Sequence, residues 1–566
     1  MCIGAYSGVL DRCLGGNEMK RYSSFLFVLV LFGSLHAYWA ISRFGFQAVD
    51  LPPVQFFLFS LWSCIRDIVT YTLLLSAPVF LFGRLAQWVV TAIWAYIIIV
   101  ICSCAYVGSA FHADLSSIWI ELLFNTSVDE VLGFVKMSLG VWQVMGLILM
   151  AFVIMVPFLV FQRLQAQTFS RRSVAIGVGL VLPFVCVNVL LMNWHWGVAQ
   201  MPYTQFLISS VMSYERDRGF RRACENKGLP ETVGVDVPRK DLPNVVIVLG
   251  ESATRNNWHL YGYERHTTPR MDEICASGEG VALTDVVGVA PATVSALSYL
   301  LTDVTFETLT QGNWTLAEVM RRAGYRTVAI SNQQAWEGNT SQLATIFNGC
   351  EKKISMLTEK KGMAHYDETM VPYLQAELTN TVPQAVFIHL AGMHYPVQNA
   401  CPEFEKHFAD NVEGAVLEDL SAKNRDRRNR YDDGILYEDK VLGMIVDVLR
   451  KQNRPSVMFF ISDHGESPRA DGWRVYSDMD VYELPCIIWM SDLYRKRFPE
   501  GASSLWKSRH KPLQPDLMAG GLLELARIEL SGLNTDSFLR SDFKCRSPRK
   551  VDKGRLDYEI FKPNAK

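Results

Sequence analysis

The chain has 566 residues, a hydrophobic share of 49% and a formal net charge of −2. That length exceeds one ordinary domain, and the near-neutral balance gives no electrostatic case for a nucleic-acid partner. Its apolar residues are unevenly spread: nearly all the long apolar runs lie before residue 195, whereas the chain after residue 240 reads as a soluble α/β protein.

Five runs in the first part, at roughly 23–42, 63–83, 87–108, 139–161 and 173–193, reach the ~20 apolar residues that a helix needs to cross a bilayer core. The second carries Arg66 and Asp67 near its start, at the interface or as a pair. Charges kept to the ends of five runs argue against a large buried helical bundle. A cleaved signal peptide fits poorly, because Phe25–Trp39 is followed by no A-x-A site and further spans come after it. Arg12, Lys20, Arg21, Arg84, Arg163, Arg171 and Arg172 fall in alternate loops. The loop 108–137 opposes them with Asp114, Glu121, Asp129 and Glu130 against Lys136. The positive-inside rule then places the N-terminus in the cytoplasm and delivers residues 194–566 to the far side, the periplasm in a Gram-negative cell. The expected division is a transmembrane domain at 1–195, an interfacial helix and linker at 196–243, and an exported domain at 244–566.

Tyr203–Tyr214 has apolar residues at helical spacing with aromatic ends, suited to a helix lying on the membrane surface. Twelve cysteines are present, and six of them (Cys224, Cys275, Cys350, Cys401, Cys486, Cys545) lie in the exported half. In an oxidising compartment these permit up to three disulfides. No CxxC occurs, which leaves a zinc knuckle or a thioredoxin-type site without support.

From Asn244 onward, "NVVIVLG", "YRTVAIS", "QAVFIHLAG" and "SVMFFIS" are short, near-continuous apolar runs, the pattern of strands buried on both faces. Helical stretches such as Leu316–Arg322 and Tyr437–Arg450 lie between them. The alternation predicts a mainly parallel sheet flanked by helices, whose ligands gather beyond the carboxyl ends of the strands. The residues just past each run are therefore informative: Gly250-Glu251-Ser252, Ser331-Asn332-Gln333-Gln334, Gly392-Met393-His394-Tyr395 and Ser462-Asp463-His464-Gly465-Glu466. An acid after a strand is, taken alone, more often a helix cap than a ligand. Together, Glu251, Asp463 and His464 form an oxygen and nitrogen donor set that suits zinc, and Gly465 lets the backbone bend there. In "VGVAPATVSALSYLL" a helix is expected from Val294 to Leu301. Thr293 stands at its start, either as a cap or as a nucleophile whose anionic substrate the helix dipole attracts.

"VIVLGESATRNNWHLYGYERHTTPRMDE", "APATVSAL", "ISNQQ", "GMHYP" and "SDHGES", in that order after five apolar runs, resemble the bacterial phosphoethanolamine transferases of the alkaline phosphatase and sulfatase superfamily. The wording is nearer the branch that modifies lipopolysaccharide core sugars than the lipid A branch. The resemblance implies an inner-membrane enzyme in which Glu251, Thr293, Asp463 and His464 bind one zinc and Thr293 is the nucleophile. It implies phosphatidylethanolamine as donor, diacylglycerol as first product, and a lipopolysaccharide or other envelope glycan as acceptor. It also implies that Asn332 and His394 hold the phosphoethanolamine or a second zinc, and that Thr126 and Glu130 in "FNTSVDE" contact the lipid headgroup. A solvated amphipathic helix capped by Thr126 is the alternative for that last segment. A monomer is expected.

Two departures stand out. No histidine follows His464 until His510, where members of that family commonly carry one about a dozen residues on; either Asp471, Asp478 or Asp480 stands in, or a second metal site is occupied only with substrate. The cysteines that bracket the nucleophile in the lipid A branch are replaced by Val289 and Tyr299. A sulfatase activity would need a C/S-x-P-x-R context, which neither Cys275 nor Cys401 has. A phosphoglycerol transferase using phosphatidylglycerol and manganese, and a non-catalytic lipid-binding pseudoenzyme, are the remaining alternatives. His389 is expected as a hydrogen-bonded core residue, His259, His266, His365 and His407 as surface residues, with His259 and His266 set apart by their place near the metal loop, and Glu466 as a ligand-orienting group or a turn cap.

Overall fold

The computed structural model describes residues 229–561, with gaps chiefly at 309–313, 334–341, 357–365, 395–400, 409–421, 470–471, 475–478 and 532–535, and before them only isolated helical positions from Tyr96 to Gly219. Apart from those positions, the five expected spans, the segment holding Thr126 and Glu130, and Tyr203–Tyr214 lie outside the described residues. Among the described residues no helix is long and apolar enough to cross a membrane. The chain divides into two units, residues 1–121 with 138–212 and residues 122–137 with 213–566. Every element below belongs to the second.

A seven-stranded mixed sheet is built from β1 (Asn244–Gly250), β2 (Gly280–Ala282), β3 (Arg326–Ser331), β4 (Lys352–Ser355), β5 (Gln384–His389), β6 (Ser456–Ser462) and β7 (Cys486–Met490). Its spatial order is β2-β7-β6-β1-β5-β3-β4. The five strands from β6 to β4 are mutually parallel, and β7 runs antiparallel to both β6 and β2. All four apolar runs read from the sequence are thus strands of the parallel core, and β1 is the central strand of the seven. Every residue of β1, β5 and β6 is buried, as a sheet covered on both faces requires.

Helices α1 (Pro269–Ala276), α2 (Thr293–Leu301), α3 (Leu316–Arg322) and α4 (Ala422–Arg450) supply that cover. Val245, Ile247 and Leu249 of β1 point into one cluster with Leu297 of α2 and Leu316 and Val319 of α3. The alternate positions face the other way, where Trp258 stacks on Phe460 at 5.3 Å and α4 packs against β6 and α1. Burying each such Val, Leu or Ile contributes roughly 1.5–3 kcal/mol. Helix α3 has the bounds expected of it. Helix α4 is 29 residues long and starts well before Tyr437.

The five described cysteines of this half are free thiols. The disulfides that their number permitted do not form among them, and Cys224 lies outside the described residues. Cys486 sits inside β7, fully enclosed.

Candidate active site

Strand register decides which side chains meet. Gly250 of β1 pairs with Ser462 of β6, so the next residues, Glu251 and Asp463, leave the sheet side by side. Asp463 N donates to Gly250 O at 3.1 Å and continues the ladder one step past the strands. Asp463 Oδ1 accepts from Ser252 N at 3.0 Å and from His464 N at 2.6 Å. His464 Nε2 lies 3.4 Å from Glu251 Oε1 and 3.5 Å from Asp463 Oδ2. Thr293 Oγ1 donates toward the same carboxylate, 3.1 Å from Glu251 Oε2 and 3.3 Å from Oε1. The four residues singled out from the sequence thus converge at the carboxyl edge of the sheet.

Thr293 is the first residue of α2, not its cap. Ala292 holds the N-cap position and no side chain caps the helix. The hydroxyl faces Glu251 instead, which removes the cap as an account of that residue.

Around this core the structure adds groups that had no assigned role. Gln333 Nε2 donates to Glu251 Oε2 at 2.9 Å, and Ser252 Oγ donates to Glu251 Oε1 at 2.8 Å. Ser252 has φ +58°, the left-handed region that costs a non-glycine residue of order 1 kcal/mol. Tyr431 of α4 pins it there: its hydroxyl donates to Ser252 O at 2.7 Å and accepts from Thr254 N at 2.8 Å. Asp367 accepts from Ala391 N, Gly392 N and Asn332 Nδ2 at 2.8, 2.9 and 2.8 Å, fixing the turn after β5.

Other expectations need adjustment. Asn332 is buried and its Nδ2 donates to Asp367 Oδ1, tying it to the turn after β5. His394 is exposed at the end of that turn, near enough for its charge to act on Glu251. Thr126 and Glu130 lie outside the described residues. Gly465 does not adopt a glycine-only conformation. It allows close approach, since an added Cβ would lie 2.9 Å from Thr254 Cβ and 3.1 Å from Asp480 O. His389 is buried as expected, with Nδ1 3.3 Å from Ser331 Oγ, while its Nε2 has no hydrogen bond. His510 sits 2.9 Å from Thr284 Oγ1. Asp471 and Asp478 lie outside the described residues, and Asp480 is not within ligand spacing of the Glu251 group.

Two buried carboxylates and an imidazole shift one another's titration strongly in this site. Burial opposes ionisation of Glu251, yet the hydrogen bond and charge of His464, with help from His394 and Gln333, hold its carboxyl well below the usual range. Burial and then the charge of Glu251 push Asp463 up to about 7. Burial works against the His464 imidazolium, but Asp463 and Glu251 outweigh it and raise the group to about 10. Asp463 Oδ2 is buried and makes no well-formed hydrogen bond. Glu251, Asp463 and His464 each offer one ligand atom, all within 4.8 Å of one another. Two buried carboxylates, one imidazole and an unsatisfied oxygen fit a zinc-class cation.

A hydroxyl at a helix N-terminus thus faces a carboxylate–imidazole cluster at the carboxyl edge of a mostly parallel sheet. The chain belongs to the sulfatase family, whose model matches residues 243–528. It is 25% identical over 509 residues to phosphoethanolamine transferase EptC of Escherichia coli K12, covering 82% of this chain and 85% of that one. It is 26% identical over 408 residues to phosphoethanolamine transferase EptA of Helicobacter pylori, covering 69% and 74%. Among solved structures, the integral membrane lipooligosaccharide phosphoethanolamine transferase A of Neisseria meningitidis matches with a TM-score of 0.64 at 18% identity, over 90% of this chain and 95% of that one. The periplasmic domain of Escherichia coli EptC in complex with zinc matches with a TM-score of 0.54 at 24% identity, over 59% and 97%.

Proposed function

We propose that this protein transfers phosphoethanolamine from phosphatidylethanolamine to an envelope glycolipid, the core or lipid A of lipopolysaccharide, through a phosphoethanolamine-threonine intermediate. The observation that carries the reading is the Thr293 hydroxyl, held 3.1 Å from Glu251 at the first turn of α2 rather than used as a cap. Named relatives in Escherichia coli, Helicobacter pylori and Salmonella typhimurium support the transferred group. Family membership does not make the chain a sulfatase: neither Cys275 nor Cys401 stands in a C/S-x-P-x-R context.

Glu251, Thr293, Asp463 and His464 would hold one zinc ion, which when bound lowers the pKa of the threonine hydroxyl and neutralises phosphoryl oxygens. Thr293 Oγ1 forms the bond to phosphorus, and the bond from phosphorus to the diacylglycerol oxygen breaks. The hydroxyl proton ends on diacylglycerol. An acceptor hydroxyl or phosphate then attacks the threonine ester, and Thr293 regains a proton. The first-turn amides of α2 favour the phosphoryl anion in both steps. Gln333 and Ser252 keep the Glu251 carboxylate aimed at Thr293. His394, exposed after β5, would meet the ethanolamine phosphate. The five spans would tether residues 244–566, as a periplasmic catalytic domain, to the inner membrane that carries the donor. Thr126 and Glu130 would meet the ammonium of its headgroup, and the protein would act as a monomer.

The test is turnover of fluorescent phosphatidylethanolamine by the purified full chain. Labelled diacylglycerol should appear in a metal-dependent way and vanish in Thr293→Ala; equal turnover by that variant sinks the mechanism. Intact mass after incubation with donor should show a phosphoethanolamine adduct. A glycerophosphate adduct formed from phosphatidylglycerol would establish the phosphoglycerol reading in its place.

A further inference from the structure

A second group of metal-competent side chains lies on the segment that runs on from Glu251. His259, His266 and Asp272 each offer a ligand atom, and the three atoms lie within 4.8 Å of one another. His259 sits on a 3-10 turn (His259–Tyr261), His266 on the loop after it, and Asp272 in the first turn of α1. The rings of His259 and His266 are 4.2 Å apart between centroids, and His259 Nδ1 lies 2.5 Å from Asp272 Oδ2.

The backbone holds these groups in place. His259 N donates to Thr267 Oγ1 at 3.1 Å and Leu260 N to Thr268 Oγ1 at 2.9 Å, tying the two histidine segments together. Thr268 Oγ1 donates to Asp272 Oδ1 at 3.1 Å, which fixes the carboxylate on its other oxygen. Arg270 N and Met271 N are anchored on Asp439 of α4. Among the described residues no lysine or arginine forms an ion pair with Asp272, while nearby Arg265 and Arg270 are engaged by Asp432 and Asp447. The site is open to an entering ion: the His259 and Asp272 side chains are 32% and 26% exposed.

We propose that His259, His266 and Asp272 form a second divalent-metal site, separate from the Glu251–Asp463–His464 centre, that takes a zinc-class transition ion. Two imidazoles and one carboxylate match the donor preference of such ions and not the all-oxygen shells of magnesium or calcium. A bound ion would clip the segment leaving the active-site carboxylate to the first turn of α1. Water would complete the coordination, as is usual where a protein supplies three ligands.

The full-length protein, stripped with a chelator and dialysed against buffered zinc, should retain two equivalents by elemental mass spectrometry. Asp463→Asn should retain one, His266→Ala should retain one, and the double variant none. His266 is exposed, so its removal leaves the core intact. Asp272→Asn, which removes one of the three proposed ligands, should likewise lose the second equivalent. An unchanged zinc count in His266→Ala, or an Asp463→Asn protein devoid of zinc, overturns the proposal. Neither result depends on lipid turnover, so this site and the transferase reading stand or fall separately.

Discussion

Gln333 Nε2 bridges Glu251 Oε2 at 2.9 Å and the carbonyl of Leu390 at 2.6 Å, joining the ends of three neighbouring strands through one amide. It leaves β3, Glu251 leaves β1 and Leu390 leaves β5. Gln333→Ala should therefore lower metal affinity or turnover about 10–100-fold while leaving the fold intact. Zinc titration beside a thermal melt checks both halves; a variant with full affinity and full turnover would remove the positioning role.

Because Ala292 and not Thr293 occupies the cap position, the threonine hydroxyl contributes little to helix stability. What Thr293→Ala removes is the hydrogen bond to the buried Glu251 carboxylate, so it should cost about 1.5–3 kcal/mol. Denaturant unfolding of the two proteins measures the difference. A loss well below that range would mean that the bond to Glu251 adds little to folding.

Gly392 has φ +48°, and a Cβ there would lie 2.7 Å from Glu251 O. Gly392→Ala combines the left-handed conformation with a backbone clash, so it should destabilise by more than about 1 kcal/mol. It should also lower turnover, because the atom displaced belongs to the carboxylate residue itself. Urea denaturation and the fluorescent lipid assay read the two effects.

Burial lowers the pKa of His389 from 6.5 to about 4. The unfolded chain therefore binds a proton between those values that the folded chain refuses. This group's contribution is fully present above pH 6.5 and is lost as pH falls toward 4, a change of about 3 kcal/mol. His389→Gln, which cannot take up that proton, should flatten the acid limb of the stability curve between those pH values. An equally steep limb in the variant would place the acid sensitivity elsewhere.

The sequence displayed the parallel core because β1, β3, β5 and β6 are continuous apolar runs, and only buried strands need them. It did not display β2, which is three residues long, or the antiparallel pairing of β7, which no local pattern encodes. Helix α4 was legible only from Tyr437, since its earlier residues are mostly charged or polar and hide their buried side, Tyr431, Asp432 and Asp433. Glu251, Thr293, Asp463 and His464 were recognisable as chemistry, but the pairing of Gly250 with Ser462 that brings two of them together is a long-range register. Gln333 stood in a quoted motif without a task, and Asp367 fell in no motif at all. Both act by hydrogen bonds across strands, which leave no periodicity to read.

Five cysteines of the catalytic unit stay as thiols, at least one of them sealed in the middle of the sheet. The unit's stability therefore comes from apolar packing around β1 and from the hydrogen-bonded loops at its rim, without covalent cross-links among these residues. Among the described residues its folding needs no disulfide formation or shuffling. A reducing cytoplasm should produce it as readily as an oxidising one, and alkylation after denaturation without reductant should tag Cys275, Cys350, Cys401, Cys486 and Cys545 alike.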